Sequence, residues 1–200
     1  AHLGQLASMG YGEVPVFRRL RVGILATGNE LVPPEGALTP GKVRNANSYG
    51  LYGLALVAGA APEFLGIAPD EITALKGTLL EAIEQHDVLV TSGGVSMGDY
   101  DFVKHLVGEL DLSIRFRELN IKPGKPVIFG NRGSKLFFGL PGNAVSTMVT
   151  FSELVRPALL KMQGDTETAP RTLWARMGDS FAKSDGKRHF LRGILHESEG

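Results

Sequence analysis

The sequence predicts an α/β fold, a three-layer and mostly parallel sheet with helices on both faces, followed by a partial small β domain. Short apolar runs rich in β-branched residues alternate with stretches of helical periodicity. Most of these runs stop at glycine-rich turns, and from Arg171 onward the texture changes to apolar/polar alternation. Alternating strands and helices imply right-handed crossovers, hence a parallel sheet covered on both faces.

Taken in order, residues 1–16 are small and weakly patterned, end in Glu13-Val14-Pro15-Val16, and read as an incoming linker. Arg21 to Thr27 is a buried strand stopped by Gly28, and Asn45 to Ala60 is a helix with Gly59 as its C′ residue. Phe64 to Ala68 is a second strand, Asp70 to Gln85 a second helix, and Asp87 to Thr91 a third strand ending at Ser92-Gly93-Gly94. Asp101 to Leu110 is a third helix. Ile114 to Ile121, Val127 to Phe129 and Lys135 to Phe138 are further strands, and residues 144–162 form one long helix ending near Gly164. Residues 17–164 thus make the α/β domain. The alternation in Thr172 to Arg176 and His189 to Leu195 predicts two half-exposed strands in residues 165–200, too few to stand as a domain alone.

Composition narrows the function. Lys plus Arg and Asp plus Glu are 21 each, so no global field draws nucleic acid or an anionic membrane, and an anion must be held locally. With no cysteine, disulfides, thiolate metal sites and a cysteine nucleophile drop out, and a reducing, cytoplasmic setting is expected. No apolar run approaches the roughly 20 residues of a membrane span. The start Ala1-His2-Leu3-Gly4 has no initiator Met, and the chain reads as part of something longer. The five histidines show no ligand spacing, and Ser96 and Ser146 sit in no nucleophile-elbow pattern.

In open parallel sheets ligands bind beyond the carboxyl ends of the strands. Three such loops stand out: Thr27-Gly28-Asn29-Glu30-Leu31, Ser92-Gly93-Gly94-Val95-Ser96-Met97-Gly98 and Gly139-Leu140-Pro141-Gly142-Asn143-Ala144-Val145-Ser146. Each sets glycines beside hydroxyl or amide side chains next to a helix start, which suits phosphate held by backbone N–H groups. Any one of them also satisfies plain turn geometry; three together favour a ligand. Asn120-Ile121-Lys122-Pro123-Gly124-Lys125-Pro126 adds two cations on a proline-stiffened stretch suited to an oxyanion, or else two solvated turn lysines. Glu30, Asp70 and Asp101 fall at strand ends, where carboxylates beside a phosphate imply a divalent cation, with magnesium the usual choice. For Asp70 and Asp101 helix capping, worth about 1 kcal/mol, is the competing job.

With these motifs in this order, the chain resembles the molybdopterin molybdenumtransferase family, relatives of the C-terminal region of gephyrin. The resemblance spans nearly the whole chain. It rests on Thr27 to Leu31, Ser92 to Gly98 with Asp99-Tyr100-Asp101, Ile121 to Pro126, and Gly139 to Asn143 with Val145-Ser146. It implies a domain where adenylylated molybdopterin and molybdate react with Mg2+ help, releasing AMP and leaving molybdenum on the dithiolene. The family's acidic residues would fall on Glu30, Asp70 and Asp101, which would also hold the metal. Its anion-binding positions would fall on Ser96, Lys122, Lys125 and Ser146, with Lys125 against molybdate and Arg192 on a basic position of the following β domain. Thr27, Gly28, Ser92, Gly93, Gly94, Pro126, Pro141, Gly142 and Asn143 complete the expected substrate-binding set. Family members carry two further domains ahead of this region and act as homodimers, so the fragment is expected to bind a small-molecule substrate without necessarily turning it over. The sequence departs from the family at Asn29, commonly Asp, and at Ala144, commonly Pro. Two rival activities share the fold: adenylylation of molybdopterin and hydrolysis of a nucleotide pyrophosphate. A rival of another class is a non-catalytic pterin-binding or scaffold module.

Overall fold

A computed structural model describes residues 2–68, 71–95 and 106–197. In chain order the elements are α1 (His2–Ser8), β1 (Arg21–Thr27), β2 (Leu31–Val32), β3 (Val43–Arg44), α2 (Ala46–Val57), β4 (Ala61–Ala68), α3 (Ile72–Gln85) and β5 (Val88–Ser92). After a 3-10 turn at Val107–Glu109 come β6 (Ser113–Glu118), β7 (Ile121–Lys122), β8 (Pro126–Arg132), β9 (Lys135–Leu140) and α4 (Ala144–Thr150). A π-helical turn at Phe151–Val155 then leads into α5 (Arg156–Met162), and β10 is Arg188–His189.

Six strands form the central sheet in the order β4-β1-β5-β9-β8-β6. β1 lies parallel to both β4 and β5, and β9 lies parallel to β5. β8 alone runs against its neighbours, because the two-residue connection Gly133-Ser134 returns it directly onto β9 as a hairpin. The alternation of side chains across the pleat builds two cores. Val22, Ile24, Val88, Val90, Phe138 and Leu140 face Leu51 and Ala55 of α2 and Phe151, Val155 and Leu159 of the last helical stretch. Leu25, Leu89 and Phe137 face the other way, onto Leu75, Leu79, Ala82 and Ile83 of α3 with Leu106 and Leu110. The expected three-layer architecture is therefore present. Among the described residues no helix is long and apolar enough to cross a membrane.

Several boundaries differ from expectation, each for a local reason. The second helix is capped by Glu71, whose carboxylate accepts from the N–H of Thr73 and of Ala74; Asp70 lies outside the described residues. Glu71 is held below the ordinary carboxylate range by these bonds, that from Ala74 first and that from Thr73 second. The first half of the expected third helix, including Asp101, also lies outside the described residues, and the second half holds the 3-10 turn Val107–Glu109. The strand expected over 114–121 is two pieces, since Glu118 pairs Pro126 across a hairpin and the Leu119 N–H donates to Lys125 O, leaving β7 in the connecting loop. The long final helix loosens into its π turn just before Pro157, a residue with no N–H for its i−4 carbonyl and a ring that crowds it. The expected linker contains α1, which buries no residue. Thr172 to Arg176 form no strand, and of His189 to Leu195 only His189 lies in a strand, with the Phe190 N–H bonded to Lys122 O; among the described residues no further sheet is present for them to join.

Candidate functional site

β1, β5 and β9 stand side by side, so their carboxyl ends place Thr27, Ser92 and Leu140 at one edge of the sheet. The loops that leave these strands converge. The Gly93 N–H donates to Leu140 O at 3.0 Å, joining the second loop to the third. Gly93 has φ +97°, and a Cβ there would sit 2.7 Å from Thr27 O, so only glycine lets the second loop close against the first. A Cβ on Gly142 would lie 3.7 Å from the Gly93 Cα.

Asn47, in the first turn of α2, fastens the assembly. Its amide donates to Ser92 Oγ at 2.9 Å and to Gly142 O at 2.8 Å. Sequence reasoning treated Asn47 as part of a helix body; the available signal was a second asparagine two residues past the N-cap Asn45, in a turn facing the strand ends. Thr147, also missed, is buried, and its hydroxyl donates to Asn143 O at 2.9 Å, steadying the third loop. Asn143 caps α4 by accepting from the Ser146 N–H at 3.2 Å. The Thr27 hydroxyl is buried with no hydrogen-bond partner among the described residues.

The expected acidic trio divides. Glu30 lies exposed over the first loop, with its carboxylate oxygens 2.5 and 2.6 Å from where a Gly28 Cβ would be. Asp70, Asp101 and Ser96 fall outside the described residues. Among the described residues no group of three His, Cys, Asp or Glu side chains is placed to hold a metal.

The lysine stretch rests on α4. Gly124, at φ +100°, is buried where a Cβ would meet Thr150 Cγ2 at 2.6 Å, so the loop bearing both lysines approaches the helix closely. Lys122 lies 4.0 Å from Asp185, and Lys125 lies 3.3 Å from Glu118. The tail is zipped to the same loop: the Arg188 N–H donates to Asn120 O and the Phe190 N–H to Lys122 O. Lys122, Pro123, Val145, His189, Phe190 and Arg192 consequently line one cleft of about 400 Å³. The bond from His189 is the main reason that Asp185 is held below the ordinary carboxylate range. Of the expected anion-binding residues, Lys122 lines this cleft, Ser146 lies in the first turn of α4 beside it, and Lys125 lies against Glu118; Arg192, the basic position expected in the tail, lines the same cleft.

Comparison with known proteins gives the chain's family and fold relatives. Residues 23–161 match the family described as "Probable molybdopterin binding domain". The chain is 38% identical to a molybdopterin molybdenumtransferase of Nostoc sp., across 100% of this chain and 47% of that protein. It is 36% identical to the protein of that name from Bacillus subtilis, across 98% of this chain and 45% of that one. A solved molybdopterin biosynthesis moea protein from Pyrococcus horikosii superposes with a TM-score of 0.71 at 35% identity, covering 80% of this chain and 40% of that chain. The chain spans about half the length of the curated relatives it matches.

Proposed function

The chain belongs to the family of probable molybdopterin-binding domains, and on that footing we propose that it forms the substrate-binding part of a molybdopterin molybdenumtransferase, which inserts molybdate into adenylylated molybdopterin and releases AMP. The observation that carries the reading is the convergence of three glycine-bearing loops at the ends of β1, β5 and β9, fastened by Asn47. Rigid backbone dipoles there suit a phosphorylated ligand and need no reorganisation when it arrives.

The chemistry asks for positioning and charge neutralisation. Two Mo–S bonds form to the dithiolene as Mo–O bonds break, and protons carry the departing oxygen away as water. The P–O bond of the phosphoric anhydride breaks with water as acceptor, and AMP leaves. Lys122, Ser146 and Arg192 would hold the oxyanion by charge and hydrogen bonds, with Lys125 reaching it by exchanging its surface pairing with Glu118. Glu30, an exposed hard oxygen donor over the first loop, fits a divalent cation, with Asp70 and Asp101 as its expected companions. Magnesium bound there would neutralise the pyrophosphate.

Residues 165–200 are read as the opening of a further β unit, a reading supported by the β10–β7 pairing. The proposal extends to a homodimer of the full-length protein and a cytoplasmic setting, which the cysteine-free sequence suits. The test is AMP release from adenylylated molybdopterin by the full-length protein. Release that requires molybdate supports the transferase; release without it points to hydrolysis, and binding without any release points to a scaffold.

A further inference from the structure

We propose that the pocket beside the first turn of α2 is a ring-binding subsite for a fused, nitrogen-containing heterocycle, the planar part of the ligand whose phosphate the glycine loops hold; this rests on the functional reading above. The pocket, about 330 Å³, is lined by Pro33, Pro34, Ser48, Tyr49, Phe64 and Gly66 among others, a volume in the range of small-ligand sites.

Its walls suit a flat ring. Phe64 is stacked on Tyr52 with centroids 4.6 Å apart and meets Tyr49 at 4.9 Å, so its aromatic ring is held in place although 43% of the residue is exposed. Pro33 and Pro34 bring rigid apolar surface, and Gly66 offers bare backbone with open space where a Cβ would be. There is one polar feature of note. Ser48, in the pocket wall, is 2% exposed, and its hydroxyl finds no hydrogen-bond partner among the described residues. A buried hydroxyl without a partner is uncommon, and rotation about its Cα–Cβ bond lets it meet a ring nitrogen or exocyclic group.

Position ties this pocket to the phosphate loops. Asn47 grips Ser92 and Gly142, while Ser48 and Tyr49, the next two residues of the same helix, line the pocket. Successive helical residues are about 1.5 Å apart along the axis and about 100° apart around it, so one helical turn presents both surfaces. The first loop's excursion closes the other side, tied back where the Asn45 N–H donates to Val32 O and the Val43 N–H to Glu30 O. A phosphate at the glycine loops and a ring in this pocket would therefore flank the same helical turn.

The ring could be the adenine of the nucleotide or the pterin, and the assay separates them. Binding of AMP and of a phosphorylated pterin is measured separately by calorimetry on this chain and on Phe64→Ala, Phe64→Tyr and Ser48→Ala, with folding followed by circular dichroism. Loss of the stacking wall in Phe64→Ala should weaken the ligand whose ring sits here by roughly 10- to 100-fold. Phe64→Tyr should restore it, and Ser48→Ala should weaken it by about 2- to 10-fold. The other ligand should be unaffected. If the wild type binds AMP or the pterin and every folded variant keeps both affinities, the subsite is overturned while the phosphate site stands. If the wild type binds neither, both readings fall. Should Phe64→Ala fail to fold, unchanged affinities in Ser48→Ala and in Phe64→Leu would overturn the subsite.

Discussion

Among single residues, Asn47 and Gly93 carry the most. Asn47 is half-buried and joins Ser92 to Gly142, so Asn47→Ala should remove both bonds and the tie between the second and third loops. We expect a stability loss of about 1–2 kcal/mol by chemical denaturation and AMP affinity reduced by roughly 10-fold in the same preparation. Undiminished affinity would show that the loops hold their shape without it. Gly93→Ala adds a methyl at a positive φ and within 2.7 Å of Thr27 O, and should cost about 1–3 kcal/mol while opening the loop junction. Lys125 is the residue whose two roles differ most in magnitude. As a surface partner of Glu118, its replacement by alanine should change stability by no more than about 0.5 kcal/mol. If it also meets molybdate, Lys125→Ala in the full-length protein should raise the half-saturating molybdate concentration by about one to two decades. A titration at saturating adenylylated pterin decides, and an unmoved half-point removes Lys125 from the site.

The elements contribute through their ends. α3 starts on the Glu71 carboxylate, bonded to Ala74 and Thr73 N–H groups at the positive end of the helix. Its proton affinity is lower folded than unfolded, so its contribution to stability is full above the ordinary value near 4.5 and fades as the pH falls through the depressed folded value. Wild type should therefore exceed Glu71→Gln in stability above about pH 4.5, and the gap should close on acidification. A gap constant across that range, measured by urea unfolding at several pH values, would mean that the charge is not what caps the helix. The α4 region depends on the same end-on logic: Asn143 caps the helix, Thr147 steadies the loop before it, and Gly124 lets the lysine stretch rest on Thr150.

Across the whole molecule, the two cores and the cleft walls supplied by the tail sit in separable parts. Both cores are complete by Met162, and no residue of the tail belongs to either. Truncation after Asp165 should then change the unfolding free energy by no more than about 1 kcal/mol while abolishing the cleft formed by Lys122, His189, Phe190 and Arg192. A collapse of the fold on truncation would show that the β10–β7 pairing supports more than its two residues suggest. Leu51→Ala, by contrast, empties a fully buried position between α2 and the sheet and should cost about 2–5 kcal/mol.

How much of this was legible depended on whether the cause was local. Hydrophobic runs such as Arg21 to Thr27, the helical spacing of Leu51 and Ala55, and the glycines at strand ends follow from chain stereochemistry and period, so the sequence alone determined the fold class and the three loops. The family resemblance could be read for the same reason, since its motifs are contiguous. What only the tertiary structure decided involves residues distant in sequence. Asn47 reaches Gly142 across 95 positions, and the tail reaches Lys122 only through the β10–β7 pairing. The strands expected at Thr172 to Arg176 and His189 to Leu195 had the right alternation but, among the described residues, no further sheet to join, and a strand is stable only through a partner that its own sequence does not contain.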